Sequence, residues 1–412
     1  MKKIGIIHSD FENHGVTRVV LNNARGLTES YSGIEIRLIG ESFGDIPDYI
    51  KTQKVLMEGV PSEVIVRRLE DATRDCDRVV VENPLVGMYP NLTMALKRYS
   101  EKTNKPVVWR HHDFVDDRPG LQEAFLEVFG NFDEAYARTR NVQHLTLTSH
   151  DQRRLAGRKI SAGVLPNSVI LDDFGYDPVK AESLRKLFQY EGIISPGEKA
   201  VVAPVRIVGR KNIEEALLIT ELLGLSGEKY RLIATLDGGE KERDYQNGVM
   251  ALAEKYKIPC SLGQAGRHIR MDGKGYSVSD LFSMASLALT TGVREGFGLS
   301  FLESNLSDTL LMGRDLPDVT GDFINSGMRL GHLYGEEDLP AGEDIPIRMK
   351  RIDSILGDKS RLDELAKKLD LQSRIKNARE NVSHNAEIIR NNYNHIDIAK
   401  RLHDILEGAR VC

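Results

Sequence analysis

Cysteine is scarce in this chain. Cys76, Cys260 and Cys412 stand far apart among 412 residues, and no two of them share a metal-ligand or CxxC spacing. That excludes a disulfide scaffold and makes reduced, cytoplasmic thiols the expectation. An excess of one charge is also missing. Lys and Arg number 56 against 61 Asp and Glu, for a net charge of -5. No global field exists to hold nucleic acid or an anionic membrane, so any anion must be held by local groups. Long apolar runs are absent too, and none approaches the ~20 residues that span a bilayer. The apolar stretch Ile4-Gly5-Ile6-Ile7 stops at His8-Ser9-Asp10, short of a signal-peptide h-region, and reads as a first buried strand. A soluble protein without stable membrane insertion is expected. Neither a repeat of solenoid period nor a low-complexity segment occurs. After the first strand, Phe11-Glu12-Asn13-His14-Gly15 supplies one glycine where a dinucleotide fingerprint requires three, and no GxxxxGK[ST] loop is present.

What is present is alternation. The length calls for two domains, and 41% hydrophobic residues are enough to bury two cores. Strands are expected at Ile4–His8, Ile34–Ile39, Val79–Val81, Val107–Trp109 and His144–Thr148, with helical periodicity between them and a first helix over Val16–Thr28. A second series has strands at Ala200–Pro204, Tyr230–Thr235 and Leu287–Thr290, with helices over Ile213–Leu223, Val249–Tyr256 and Val278–Ser286. Such alternation implies α/β architecture with parallel strands and crossover helices. Pro166–Gly197, rich in Pro, Gly and Asp, reads as the linker. From Leu362 the tail is helical, broken around Asn391-Asn392 and amphipathic over Ile396–Leu406. Two such units leave a cleft, and ligands bind at the carboxyl ends of the strands.

Two loops carry chemistry. After Leu287–Thr290, Arg294-Glu295-Gly296-Phe297-Gly298-Leu299 turns into a helix that continues through Glu303. The free N–H groups and positive dipole end of that helix suit a phosphate or an electronegative sugar edge, and the glycines admit close approach to the backbone. After Ala200–Pro204, Val205-Arg206-Ile207-Val208-Gly209-Arg210-Lys211-Asn212 sets Arg206, Lys211 and Arg210 at a strand's carboxyl end. Guanidinium forks and an ammonium match a diphosphate. A capped helix with a solvated glutamate, and an ordinary basic surface loop, are the plain alternatives.

Together these loops resemble the retaining GT-B glycosyltransferases of family 4, which pair an Arg-x-x-x-x-Lys loop with Glu-Gly-Phe-Gly-Leu inside a Glu-x7-Glu motif. Leu165-Pro166-Asn167 through Phe174 resembles the family's interdomain segment, Asp237-Gly238-Gly239-Glu240 its second C-domain loop, and Pro106 through Asp113 its N-domain His-Asp loop. Tyr393 to Leu406 is similar to its crossing-back helix. The resemblance implies two Rossmann-like domains facing across a cleft. An acceptor domain covers 1–172, with a C-terminal helix 390–412 packing on it, and a nucleotide-sugar domain covers 173–389. It further implies that Arg206 and Lys211 neutralise the diphosphate and that Glu303 accepts from the ribose. Glu295, with the N–H groups of Phe297, Gly298 and Leu299, would hold the sugar; His112 would touch it from the other domain, and Gly15 would mark the loop closing near the phosphates.

The departures fall on sugar specificity. One glycine, Gly15, stands where the family has two, Asn212 replaces a glycine after Lys211, and Ser304-Asn305-Leu306 follows Glu303 in place of Ala-Met-Ala.

Weaker candidates are read as surface features. Asp75-Cys76-Asp77 matches a DxD metal pattern but precedes a strand, so neither metal nor cofactor is expected. Arg267-His268-Ile269-Arg270 reads as a solvated loop, and Arg153-Arg154 and Arg158-Lys159 as a solvated helix face.

The expected reaction moves a hexose from a nucleoside-diphosphate sugar to a hydroxyl of a small acceptor. Attack comes from the front face, and fixed cations stabilise the leaving group in place of a metal. Epimerisation or phosphorolysis on the same fold, and a non-catalytic sugar-nucleotide-binding subunit, are the rivals. An acidic Leu121–Arg140, read as helical, is a poor match to an anionic bilayer. Arg110 is expected to offer a guanidinium to an anionic acceptor, unless Asp113 or Asp116 of its own loop takes it.

Overall fold

Short β-branched runs flanked by amphipathic stretches can bury both strand faces only under crossover helices, and that is how this chain folds. The computed structural model describes residues 2–12, 14–269, 275–342 and 344–408. One compact unit comprises 1–170 with 393–412; the other comprises 171–392.

The first unit holds β1 (Lys2–Ile7), β2 (Ile34–Gly40), β3 (Lys51–Lys54), β4 (Arg78–Glu82), β5 (Val107–His111), β6 (Val142–Thr146) and β7 (Ala162–Val164). They form a parallel sheet in the order β3-β2-β1-β4-β5-β6-β7. The helix Gly15–Ser30 follows β1 and packs against the C-terminal helix His395–Leu406. The two approach closely enough that a Cβ on Gly26 would sit 2.4 Å from the His395 carbonyl oxygen, so only glycine is accommodated there. Ile398, Ala399 and Leu402 thereby join Val20, Ala24 and Leu27 in one core. The returning chain is also tied by Val169 N–H donating to Tyr393 O and His395 N–H to Val169 O, 2.8 and 3.0 Å.

The second unit holds β8 (Lys199–Arg206), β9 (Tyr230–Leu236), β10 (Cys260–Leu262), β11 (Leu287–Thr290) and β12 (Leu311–Gly313), parallel in the order β10-β9-β8-β11-β12. In each sheet the chain winds outward one way and then restarts the other way. The switch points lie between β1 and β4 and between β8 and β11, where open α/β sheets bind ligands.

Two expectations need correction. Pro166–Gly197 is not an irregular linker throughout, because Pro178–Tyr190 is a helix capped by Asp177, with Leu184 and Phe188 buried in the second unit. Pro178 there is a first-turn proline, the position where a missing N–H costs nothing. Leu121–Arg140 is not one helix. The helix Pro119–Phe129 ends at Gly130, whose φ is 74°, and a 3-10 turn Phe132–Ala135 follows. No described helix is long and apolar enough to cross a membrane.

Candidate active site

At the β8/β11 switch point the fold exposes cations. Arg206 ends β8, is exposed, and has no side-chain hydrogen bond or ion pair among the described residues. A 3-10 turn, Gly209–Lys211, then carries Arg210 and Lys211 toward the loop after β11. Lys211 Nζ lies 2.5 Å from Glu295 Oε1, and Arg210 Nη1 lies 3.6 Å from Glu295 Oε2. Glu295 thus sits between two cations, and the three residues form one polar cluster.

That turn is anchored from beneath. Asn212 adopts φ 54° in the left-handed region. Asparagine tolerates that conformation better than most residues, so it can take the place of a glycine there. Its Nδ2 donates to Thr291 O at 3.1 Å and the Thr291 hydroxyl donates to Lys211 O at 3.0 Å, lacing the two loops together. Arg348, buried, donates to Gly209 O at 2.5 Å and to Glu214 at 3.0 Å. Next to it, buried Arg314 pairs with Glu215 at 2.5 Å. Burial pushes the Glu215 carboxyl up, against the opposing pull of Arg314. Sequence reasoning missed Glu214, Glu215, Arg314 and Arg348. The available signal was an acidic pair opening the largely apolar helix Ile213–Gly224, since buried carboxylates demand buried partners.

The helix Leu299–Leu306 begins at Gly298, φ 81°, where a Cβ would lie 2.7 Å from the Phe301 ring. The amide N–H groups of Leu299 and Ser300 have no hydrogen-bond partner among the described residues. Phe297 is buried against Phe323, and Glu303 is buried one turn into the helix. Asp237 at the end of β9 accepts from Gly239 N–H at 2.6 Å. Arg267 is ion-paired with Glu191 at 2.5 Å and the His268 ring is hydrogen-bonded to the same carboxylate at 2.6 Å; Arg270 lies outside the described residues.

The β1/β4 switch point is built from imidazoles and carboxylates. His8 follows β1, and its Nδ1 meets Glu82 O at 3.0 Å across the switch. Burial lowers the His8 pKa to about 4, with His14 adding to the effect. His14 caps the helix that opens at Gly15, and its Nε2 lies 2.6 Å from Asp10 Oδ1. This bond holds the Asp10 carboxyl well below its usual range. Asn13 lies outside the described residues. A side chain added at Gly15 would meet open space, so that glycine is not required by local packing.

After β5, His112 Nε2 lies 2.5 Å from Glu82 Oε2, with both side chains nearly fully buried. Behind Glu82 stands Arg110. Burial alone would raise the Glu82 carboxyl, but the Arg110 charge and the His112 bond outweigh it and hold it low. Arg110 is not available to an acceptor as the sequence reading expected. It is 0% exposed, with Nη1 3.7 Å from Glu82 and Nη2 donating to Asn167 Oδ1 at 2.9 Å and Pro166 O at 3.2 Å. Its own loop does not hold it either, since Asp113 pairs with Arg118 and Asp116 with Arg154 and Arg158. Arg154 and Arg158 are therefore structural and not merely solvated, with Arg154 also lying over Phe114. Glu82 went unnoticed in the sequence because it ends an apolar strand as a lone acid. Asp75 of the DxD match pairs with Arg37 and Lys3, both at 2.7 Å.

No family model matches the chain. Mannosylglucosyl-3-phosphoglycerate synthase of Petrotoga mobilis is 29% identical over 356 residues, which is 79% of this chain and 67% of that protein. The match thus spans about two thirds of the relative's length. The Anabaena protein Alr3699/HepE, solved with UDP and glucose, superposes with a TM-score of 0.67 at 13% identity, covering 99% of this chain and 100% of that one. Sucrose-phosphate synthase of Thermosynechococcus elongatus gives 0.67 at 12%, covering 99% and 98%. The chain is a glycosyltransferase with the GT-B fold. In this enzyme, each unit presents a different set of charged and polar groups at its switch point.

Proposed function

We propose that the enzyme moves a hexose, with retention of anomeric configuration, from a nucleoside-diphosphate sugar to a hydroxyl of a small anionic acceptor. The observation that supports the donor reading most is the arrangement of the second unit. An unpaired exposed Arg206, the Lys211–Glu295 pair and a helix start with two open N–H groups are gathered at one switch point. As the anomeric bond breaks, charge grows on the diphosphate. Arg206 and Lys211 meet that charge directly, so the leaving group needs no divalent ion. Lys211 exchanges Glu295 for phosphate, which frees the Glu295 carboxylate to accept from sugar hydroxyls. The N–H groups of Phe297, Gly298 and Leu299 complete the sugar and phosphate cradle, and Glu303 takes the ribose hydroxyls.

His112 serves the reacting hydroxyls from the first unit. With Nε2–H donating to ionised Glu82, its Nδ1 lone pair is the one left to accept a proton or hydrogen bond. The acceptor class follows from the phosphoglycerate in the relative's name and is carried to this chain as part of the proposal.

The deciding experiment assays release of free nucleoside diphosphate from a panel of nucleotide sugars, with 3-phosphoglycerate and its glycosides as acceptors. Donor hydrolysis should persist in excess EDTA, and the product should keep the donor's anomeric configuration. Hydrolysis abolished by chelation and restored by a divalent ion would overturn the leaving-group assignment. An inverted product would overturn the stereochemistry.

A further inference from the structure

Three side chains at the end of β1 are left unused by this mechanism. His8, Asp10 and His14 each bring one ligand-type atom to within 4.8 Å of the others. We propose that they form a binding site for a first-row divalent cation of the zinc class, with an open coordination position that takes an oxygen of the anionic acceptor. The second half rests on the acceptor reading above; the first half does not.

The donor set comes first. Two imidazoles and one carboxylate suit zinc and its first-row neighbours, and three protein ligands leave a position for an exogenous oxygen. The outer shell comes next. A metal-binding histidine is usually fixed by its second nitrogen donating to a carbonyl or carboxylate. His8 shows this arrangement, with Nδ1 3.0 Å from Glu82 O and no partner for Nε2 among the described residues. That bond crosses the switch point and fixes the ring before any ion arrives.

Asp10 and His14 stand 2.6 Å apart. Zinc bonds of about 2.0–2.1 Å set tetrahedral ligand atoms roughly 3.3 Å apart, so the pair must open by less than an ångström. Binding through Nε2 puts the proton of a neutral His14 on Nδ1, so the ring gives up the long 3.4 Å cap bond it accepts from Thr17 N–H and donates instead to the Thr17 hydroxyl, also 3.4 Å away. The helix N-terminus behind His14 disfavours a cation, but the surroundings oppose it. The Asp10 carboxylate, 2.6 Å from His14, supplies the opposing negative charge.

The test is a titration of EDTA-treated, dialysed full-length protein with Co2+, read by visible d–d absorption and by calorimetry, followed by displacement with Zn2+. One Co2+ per chain is expected, with a spectrum of low-symmetry four- or five-coordination. His8→Asn and His14→Asn should each weaken binding at least tenfold. Asparagine is itself a good N-cap, so His14→Asn keeps the helix start, and circular dichroism checks the fold of both variants. Absence of binding, or binding undiminished in both variants, would overturn the site. Adding 3-phosphoglycerate to the Co2+ form should change the spectrum, and an unchanged spectrum would overturn the acceptor half. Nucleoside-diphosphate affinity, measured on the same variants, should stay at the wild-type value. Its loss there would place His8 and His14 with the donor instead and overturn the assignment.

Discussion

At the β8/β11 switch point the polar groups are mostly cations within reach of solvent. At the β1/β4 switch point they are imidazoles and carboxylates, and the central pair, Arg110 and Glu82, is closed off from water. The two ends also differ in how they are built. The second unit takes its groups from two contiguous loops, Arg206–Asn212 and Glu295–Glu303. The first assembles Glu82, Arg110, His112 and Asn167 from separate strands and the segment after β7. Groups in water can be tuned for a substrate at little structural cost. Groups in the interior must first satisfy each other, so they link function to stability.

The widest separation should appear on acidification. Burial drives His111 well below 6.5 and His144 from 6.5 to about 4, and the two share a 3.0 Å contact, so they cannot both be charged. In the unfolded chain both take protons near 6.5. The unfolded state therefore binds more protons as pH falls, and stability is full above about 6.5 and lost on the way down to about 4. At ~1.4 kcal/mol per pH unit for each imidazole, the first unit loses several kcal/mol. The second unit carries His332, also lowered by burial to about 4, as its one such histidine among the described residues. Hydrogen exchange of the first sheet should therefore lose protection at a higher pH than that of the second. Equal acid sensitivity would break the comparison.

Next in size is Glu82→Ala. It strands Arg110 in the interior without its acid, at a cost of about 3–5 kcal/mol by urea denaturation. Arg206→Ala, in water, should stay within about 0.5 kcal/mol of wild type in the same measurement. A Glu82→Ala variant as stable as wild type would show that Arg110 finds another partner.

The smallest effects sharpen the second unit. Arg206→Ala and Lys211→Ala each remove charge-assisted bonds worth roughly 1.5–3 kcal/mol, which is about tenfold to a hundredfold in turnover. Glu303→Ala should weaken nucleoside-diphosphate binding. Glu295→Ala should leave it intact or tighten it, because Lys211 no longer has a competing partner. Calorimetry with the nucleotide alone separates the two, and equal losses would refute their division of roles.

The sequence showed the interior of both sheets and missed their rims. Strands β1, β2, β4, β5 and β6 were foreseen in the first unit and β8, β9 and β11 in the second. The four unforeseen strands, β3, β7, β10 and β12, are the outer strands of the two sheets. An edge strand has less to bury and so writes a weaker apolar signal. β3, Lys51-Thr52-Gln53-Lys54, contains no apolar residue at all. The same logic divides the site. A loop between a strand and a helix keeps its groups adjacent in sequence, so Glu295 to Glu303 could be read directly. A buried pair such as Arg348–Glu214, separated by 134 positions, leaves no local pattern. Arg110 was misread for a related reason, because a charged residue at the end of a strand looks alike whether it faces solvent or an interior acid.

The membership of His395–Leu406 in the first unit bears on how the protein emerges from the ribosome. Residues 171–392 form an uninterrupted stretch and can close their core as soon as they are made. The first unit, although begun earlier, lacks Ile398, Ala399 and Leu402 until synthesis has passed them, and Gly26 waits with its helix face uncovered. Of the two units, the one begun first is thus the one completed second. A chain cut short before residue 393 would expose this apolar face while keeping every donor-site residue, a species prone to aggregate rather than to act as a smaller enzyme.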